Sequence, residues 1–176
     1  MLCQVFDHTI YQYQDQDFIN YAESWFDGSA DLHWTNDLRS LRSTGDLDQI
    51  YRFCLCLKDY FFVNFITSHA NIFLQTHFQN ISESAVLIGI WPFAMSGDLR
   101  HAPHNHPDSV LSGTYYVDVP TGSSPILFHR NNETVGVEPS SGTLLIWSSD
   151  LVHSVEKVNG PVTRKAISFD LALALR

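Results

Sequence analysis

From residue 85 onward the sequence breaks into short, β-rich apolar runs separated by turn chemistry, and few architectures accommodate that cadence. The runs are 85–91, 110–119, 125–129, 134–137, 143–147, 151–155 and 163–173. Between them lie Ser96-Gly97-Asp98, Thr121-Gly122-Ser123-Ser124, Arg130-Asn131-Asn132, Ser140-Ser141-Gly142 and Asn159-Gly160-Pro161, residue types that reverse a chain. Seven or eight strands this short, with no helical stretch between them, predict a sandwich or jelly roll rather than a βαβ fold.

The first 83 residues have a different texture. Residues 2–6 read as a short strand closed by Asp7. Phe18, Ile19, Ala22, Trp25 and Phe26 recur at helical spacing, which predicts an amphipathic helix over 16–26 ending before Gly28. The polar stretch 29–45, with Trp34 and Leu38 as isolated anchors, reads as a loop with at most a short strand. Asp46 is placed to cap a helix. From residue 47 to about 80 there is no Gly or Pro, and apolar residues keep helical spacing, so one long helix or two consecutive ones are expected. His69 and His77 on this segment read as packing or surface histidines. The helices are expected to buttress one face of the β part, the whole forming one domain, mainly β, over residues 1–176.

Composition excludes several classes. The 176 residues carry a net charge of −9, with ten Lys and Arg in all. They form no basic stripe, so a nucleic-acid surface is not expected. Three cysteines, Cys3, Cys54 and Cys56, do not make a disulfide framework, and Cys54 and Cys56 read as small buried hydrophobes. No signal peptide or membrane span is visible. The expectation is a cytoplasmic protein.

The chemistry concentrates at His104-Asn105-His106-Pro107-Asp108-Ser109, answered 47 residues after His106 by a lone His153. Alternate side chains on a strand share a face. Two imidazoles so placed, joined by a third ligand from a distant strand, would fill one side of a metal shell and leave the other open. Two ligand sets satisfy this pattern: His104, His106 and His153, or His106, Asp108 and His153. The second is the common two-His-one-carboxylate arrangement, whereas Pro107 opposes a continuous strand through Asp108. His106 and His153 belong to both. His101, nearby, reads as a supporting or surface residue, and His129 and Trp147 as either substrate-side or packing residues.

In order along the chain stand His104-Asn105-His106-Pro107, Leu111-Ser112-Gly113-Thr114-Tyr115-Tyr116, Gly142-Thr143-Leu144-Leu145-Ile146-Trp147, His153-Ser154-Val155, and Arg164 with Ile167-Ser168-Phe169. In these motifs, from about residue 90 to 173, the chain resembles the double-stranded β-helix (jelly roll, cupin-like) of Fe(II)- and 2-oxoglutarate-dependent oxygenases. It is most similar there to a bacterial and phage subgroup with a His-x-His-Pro motif, whose pattern favours the three-His set.

The resemblance implies Fe(II) and 2-oxoglutarate, with dioxygen, succinate and CO2 as co-reactant and co-products. Arg164, eleven residues after His153, would grip the far carboxylate of the oxoacid, since a guanidinium stays charged and binds carboxylates bidentately. Ser112, Thr114, Tyr116 and Ser168 would line the same pocket. Ala166 stands where the family often has Ser, and Asp170 where Asn is frequent.

The implied activity is hydroxylation of an amino acid, a peptide or a small metabolite. Two other readings keep parts of this pattern. A cupin-type dioxygenase or isomerase without 2-oxoglutarate would need the histidines but have no use for an inward Arg164. A non-catalytic β-sandwich binding module would need neither. The N-terminal 80 residues would form either the substrate-side wall or a homodimer contact.

Overall fold

The computed structural model describes residues 1–29, 33–55, 60–78, 81–158 and 162–175. Strands β1 (Leu2–Val5) and β2 (His8–Gln14) form a hairpin, followed by helices α1 (Ile19–Asp27), α2 (His33–Arg42), α3 (Leu47–Leu55) and α4 (Tyr60–His77). Eight strands complete the chain: β3 (Glu83–Ser96), β4 (His101–His104), β5 (Leu111–Asp118), β6 (Ile126–Arg130), β7 (Glu133–Val137), β8 (Thr143–Ser148), β9 (Val152–Val155) and β10 (Thr163–Leu175). All pairings are antiparallel. A six-stranded sheet, β1-β2-β8-β5-β10-β3, faces a four-stranded sheet, β4-β9-β6-β7. This is the expected double-stranded β-helix.

Alternation along the strands of the large sheet divides its side chains between two cores. Tyr115, Leu144, Ile146, Ile167, Phe169 and Leu171 point outward and pack with Phe62, Ile66 and Phe73 of α4. Tyr116, Leu145, Trp147 and Ala166 point inward and meet Ile126, Phe128 and Val155 of the small sheet. The helices therefore buttress one face, as expected, and the inner face is free to build a site.

Three sequence expectations are corrected by the structure. Residues 33–42 are helix α2 rather than loop: Leu38 and Leu41 lie three apart on one face, Leu38 is almost fully buried, and Leu41 packs against the same core. So sparse an apolar stripe is outnumbered by polar residues in the sequence, yet it is sufficient when a sheet edge lies beneath it. The hairpin strand β2 was not anticipated, because the Phe6-Asp7 turn places Phe6 at φ 57, a conformation usually marked by Gly or Asn. β3 runs past Pro92 to Ser96; it is an edge strand, where a missing N–H is tolerated.

Other expectations hold. Asp46 Oδ1 accepts from the Gln49 N–H at 3.0 Å, capping α3, and α3 and α4 are the two consecutive helices. The His69 Nδ1 is 2.7 Å from the Tyr11 hydroxyl, joining α4 to β2. Cys54 is buried; Cys56 and the Asn159-Gly160-Pro161 turn lie outside the described residues. Among the described residues, no helix is long and apolar enough to cross a membrane.

Gly113, on the central strand β5, is required by packing. A methyl there would run into the Phe169 ring and come 2.6 Å from the Leu145 carbonyl oxygen; the ring has little room in the core and the backbone oxygen belongs to the neighbouring strand. Gly113→Ala should destabilise the fold by about 1–3 kcal/mol, read as a lower urea midpoint with unchanged slope. An unaltered midpoint would show that β5 and β10 are less tightly packed than this.

Candidate metal centre

His104 closes β4 and lies directly opposite His153 on β9 in the ladder register. Just beyond β4, the His106 backbone N–H donates to the Ser149 carbonyl at 2.9 Å, which holds the loop against the β8–β9 turn. Ring centroids are 4.5 Å apart for His104 and His153, 5.2 Å for His104 and His106, and 5.3 Å for His106 and His153. One ring nitrogen from each lies within 4.8 Å of the others, a spacing that one metal ion can bridge.

Each ring is oriented through Nδ1. The His104 Nδ1 is 2.7 Å from the Ala102 carbonyl, the His153 Nδ1 is 3.1 Å from the Leu151 carbonyl, and the His106 Nδ1 is 2.7 Å from Asp170 Oδ1. A nitrogen that donates to an oxygen leaves Nε2 with its lone pair, the form in which imidazole binds metals. Burial pushes the His153 pKa down to about 4, against the opposing Leu151 hydrogen bond, so its ring is neutral at neutral pH. Asp108 is exposed and lies outside this group, on a groove with Arg39 and Arg42.

Asp170 accepts three groups at once: His106, the Ser112 hydroxyl at 2.8 Å and Arg42 Nη1 at 3.1 Å. Burial raises its pKa, but the His106 and Ser112 hydrogen bonds and the charge of Arg42 outweigh this, and the net shift is downward. Asp170 was noted in the sequence only for replacing Asn. Its connection to His106 was visible in neither motif nor spacing, although it shares strand parity with Arg164.

Along the inner face, Ser112, Thr114 and Tyr116 on β5 stand opposite Asp170, Ser168 and Ala166 on β10. Thr114 and Ser168 share a hydrogen bond of 3.0 Å. These hydroxyls line the cavity with the histidines. His101 and Trp147 also line it, whereas His129 does not. The His129 ring bonds Thr134 and Ser154 and borders a separate surface groove, because on β6 it has opposite parity to the inward Phe128.

Arg164 closes the far end of the cavity with no exposed surface. Nη1 donates to the Ser124 carbonyl at 2.9 Å, Nη2 is 3.4 Å from Met95 Sδ, and Nε has no partner. The guanidinium lies 5.6 Å over the Tyr116 ring. Among the described residues no carboxylate neutralises it. A buried, uncompensated charge is costly, and burial lowers the Arg164 pKa; an anion entering the cavity would offset that cost. The cavity itself is narrow, about 40 Å³.

The buried guanidinium therefore works against the stability of the ligand-free fold. Arg164→Met should leave the ligand-free protein as stable as the parent, or more stable by about 1–3 kcal/mol, measured by urea unfolding. A clear loss of stability would show that the guanidinium is held for packing alone.

Residues 89–137 match the family described as "Putative 2OG-Fe(II) oxygenase"; no curated protein matches the sequence. Among solved structures, the chain is similar to a Pseudomonas putida prolyl-4-hydroxylase, with a TM-score of 0.57 and 13% identity over 94% of this chain and 88% of that one. It is similar to an N-substituted L-amino acid dioxygenase from Burkholderia ambifaria, with a TM-score of 0.51 and 12% identity over 95% and 85%. For a 2OG-Fe(II) oxygenase family oxidoreductase from Burkholderia pseudomallei the TM-score is 0.52 at 15% identity, over 60% of this chain and 52% of that one. The chain thus spans about half the length of the last protein, and identities this low speak for the fold. The chain is thus similar in fold to these proteins, and its segment 89–137, which contains His104 and His106, is similar to the 2OG-Fe(II) oxygenase family.

Proposed function

We propose that the protein is a non-haem Fe(II)- and 2-oxoglutarate-dependent oxygenase of the hydroxylase type. It would oxidise an amino acid, a peptide or a small metabolite with release of succinate and CO2. The observation that carries this reading is the pairing of two features at opposite ends of one cavity: three imidazoles gathered within 4.8 Å, and the buried Arg164 with no carboxylate partner. His104, His106 and His153 would hold the iron through Nε2, with Asp170 keeping His106 in its binding tautomer. The oxoacid's far carboxylate would take Arg164, beside Tyr116, Thr114 and Ser168. Bound iron and oxoacid supply the oxidising power, while the protein orients them and keeps bulk water out.

The donor set fits this pair of cofactors. Three imidazoles on one side would leave the other side of a metal ion open to the oxoacid and dioxygen. The narrow cavity admits an oxoacid only if a side chain gives way. Met95, an unbranched and adaptable residue, touches Arg164 Nη2, while Nη1 is held by the Ser124 carbonyl, so an arriving carboxylate would compete with both. A cupin-type enzyme without 2-oxoglutarate leaves Arg164 unexplained, and a binding module leaves the three oriented imidazoles unexplained.

Adding Fe(II) and 2-oxoglutarate without oxygen should produce the weak visible charge-transfer band of the chelate, and admission of oxygen should yield succinate. Absence of both would overturn the proposal. His104→Ala should abolish iron retention while Asp108→Ala preserves it; the opposite result would restore the carboxylate ligand set. Asp170→Asn should weaken iron binding about 10–100-fold, measured by competition with a chelator, because His106 loses its charged partner.

A further inference from the structure

Helix α2, unexpected from the sequence, lays Asn36, Arg39 and Arg42 along one side of a cavity whose other wall is β3, including Gly89 and Trp91. These three residues are spaced by three, so they share a helix face. The cavity holds about 160 Å³ and meets a more open groove of about 550 Å³ along Arg39, Arg42 and Ile88, with Asp108 on the groove's rim. In a chain with only ten Lys and Arg against nineteen Asp and Glu, two guanidiniums converging on one cleft form a local exception.

The cleft adjoins the metal centre. Trp91 is a wall of both this cavity and the histidine cavity, and its ring stacks 6.1 Å from that of His106. Arg42 reaches over Gly89, where an added methyl would stand 3.0 Å from Nη1, and meets Asp170 Oδ2 at 3.1 Å. The other oxygen of that carboxylate holds His106. A molecule seated against Arg39 and Arg42 is therefore next to the proposed iron site, at the opposite end from Arg164.

We propose that this cleft is the recognition site for a carboxylate group of the substrate, with Arg39 as its principal anchor and Arg42 as the second. Guanidinium and carboxylate match as planar, bidentate partners. Arg39 is exposed and has no ion-pair partner among the described residues, whereas Arg42 already spends one nitrogen on Asp170. Two guanidiniums facing Asp170 and Asp108 suit a monoanion and penalise a dianion such as phosphate. Calling the bound molecule the substrate rests on the oxygenase reading; the anion site itself does not.

Guanidinium Nε–Hε resonances of the full chain, assigned with Arg39→Gln and Arg42→Lys, report binding at each residue. The probes are benzoate, benzamide and inorganic phosphate at constant ionic strength. Benzoate should shift the Arg39 and Arg42 signals saturably, benzamide should leave them in place, and phosphate should bind at least tenfold more weakly. Arg39→Gln should weaken benzoate binding at least tenfold, read from the Arg42 signal, and Arg42→Lys should do so to a smaller extent, read from Arg39. No saturable shift, an equal response to benzamide, tighter binding of phosphate, or unchanged affinity in Arg39→Gln would each overturn the proposal. The Fe(II)–2-oxoglutarate band recorded on the same preparation separates the two readings. A band without benzoate binding refutes this site alone; benzoate binding without a band refutes the oxygenase and leaves the anion site standing.

Discussion

The Asp170 carboxylate is the interaction on which the rest of the site depends. It lies at the inner face of β10 and accepts from His106, from Ser112 on β5 and from Arg42 on α2. Three stretches of chain distant in sequence thereby meet at one almost fully buried group. A buried carboxylate is tolerable only when it is well paired, so each partner is constrained by the others. The His106 ring, the inward face of β5 and the helix over the sheet edge are positioned together.

Strand β10 extends this logic over the whole cavity. It pairs with β3 on one side and β5 on the other, so alternate residues project to the two faces of the large sheet. Arg164, Ala166, Ser168 and Asp170 point inward, and Ile167, Phe169 and Leu171 point toward the helices. One face therefore carries a charge at each end of a polar lane, a cation deep in the barrel and an anion near the histidines. The opposite face supplies apolar surface that holds the lane rigid. Ala166, between them, keeps a small side chain opposite Tyr116.

The two corrections to the N-terminal half share a cause. α2 was hidden by its polarity and β2 by a turn centred on an aromatic residue, and both are stabilised mainly by the sheet they pack against. Local pattern is strong where an element carries its own signal, as in α1, α4 and the β-rich runs after residue 85. It is weak where a neighbour supplies most of the burial. The extension of β3 through Pro92 follows the same rule, since only edge position makes it acceptable.

The sequence by itself determined the fold class, the helical buttress, and the place of His106 and His153 in either ligand set. These follow from alternation, turn chemistry and spacing, which are properties of neighbouring residues; the preference for His104 and the inward Arg164 came from the family resemblance. Only the tertiary structure decided that Asp108 stands apart from the histidines, that His129 faces the outer side of its sheet, and that Asp170 binds His106. It also decided that α2 brings Arg39 and Arg42 to the edge of the site. Each of those facts depends on strand register or on the packing of one segment over another, and a linear pattern carries no distance between residues that are far apart in the chain.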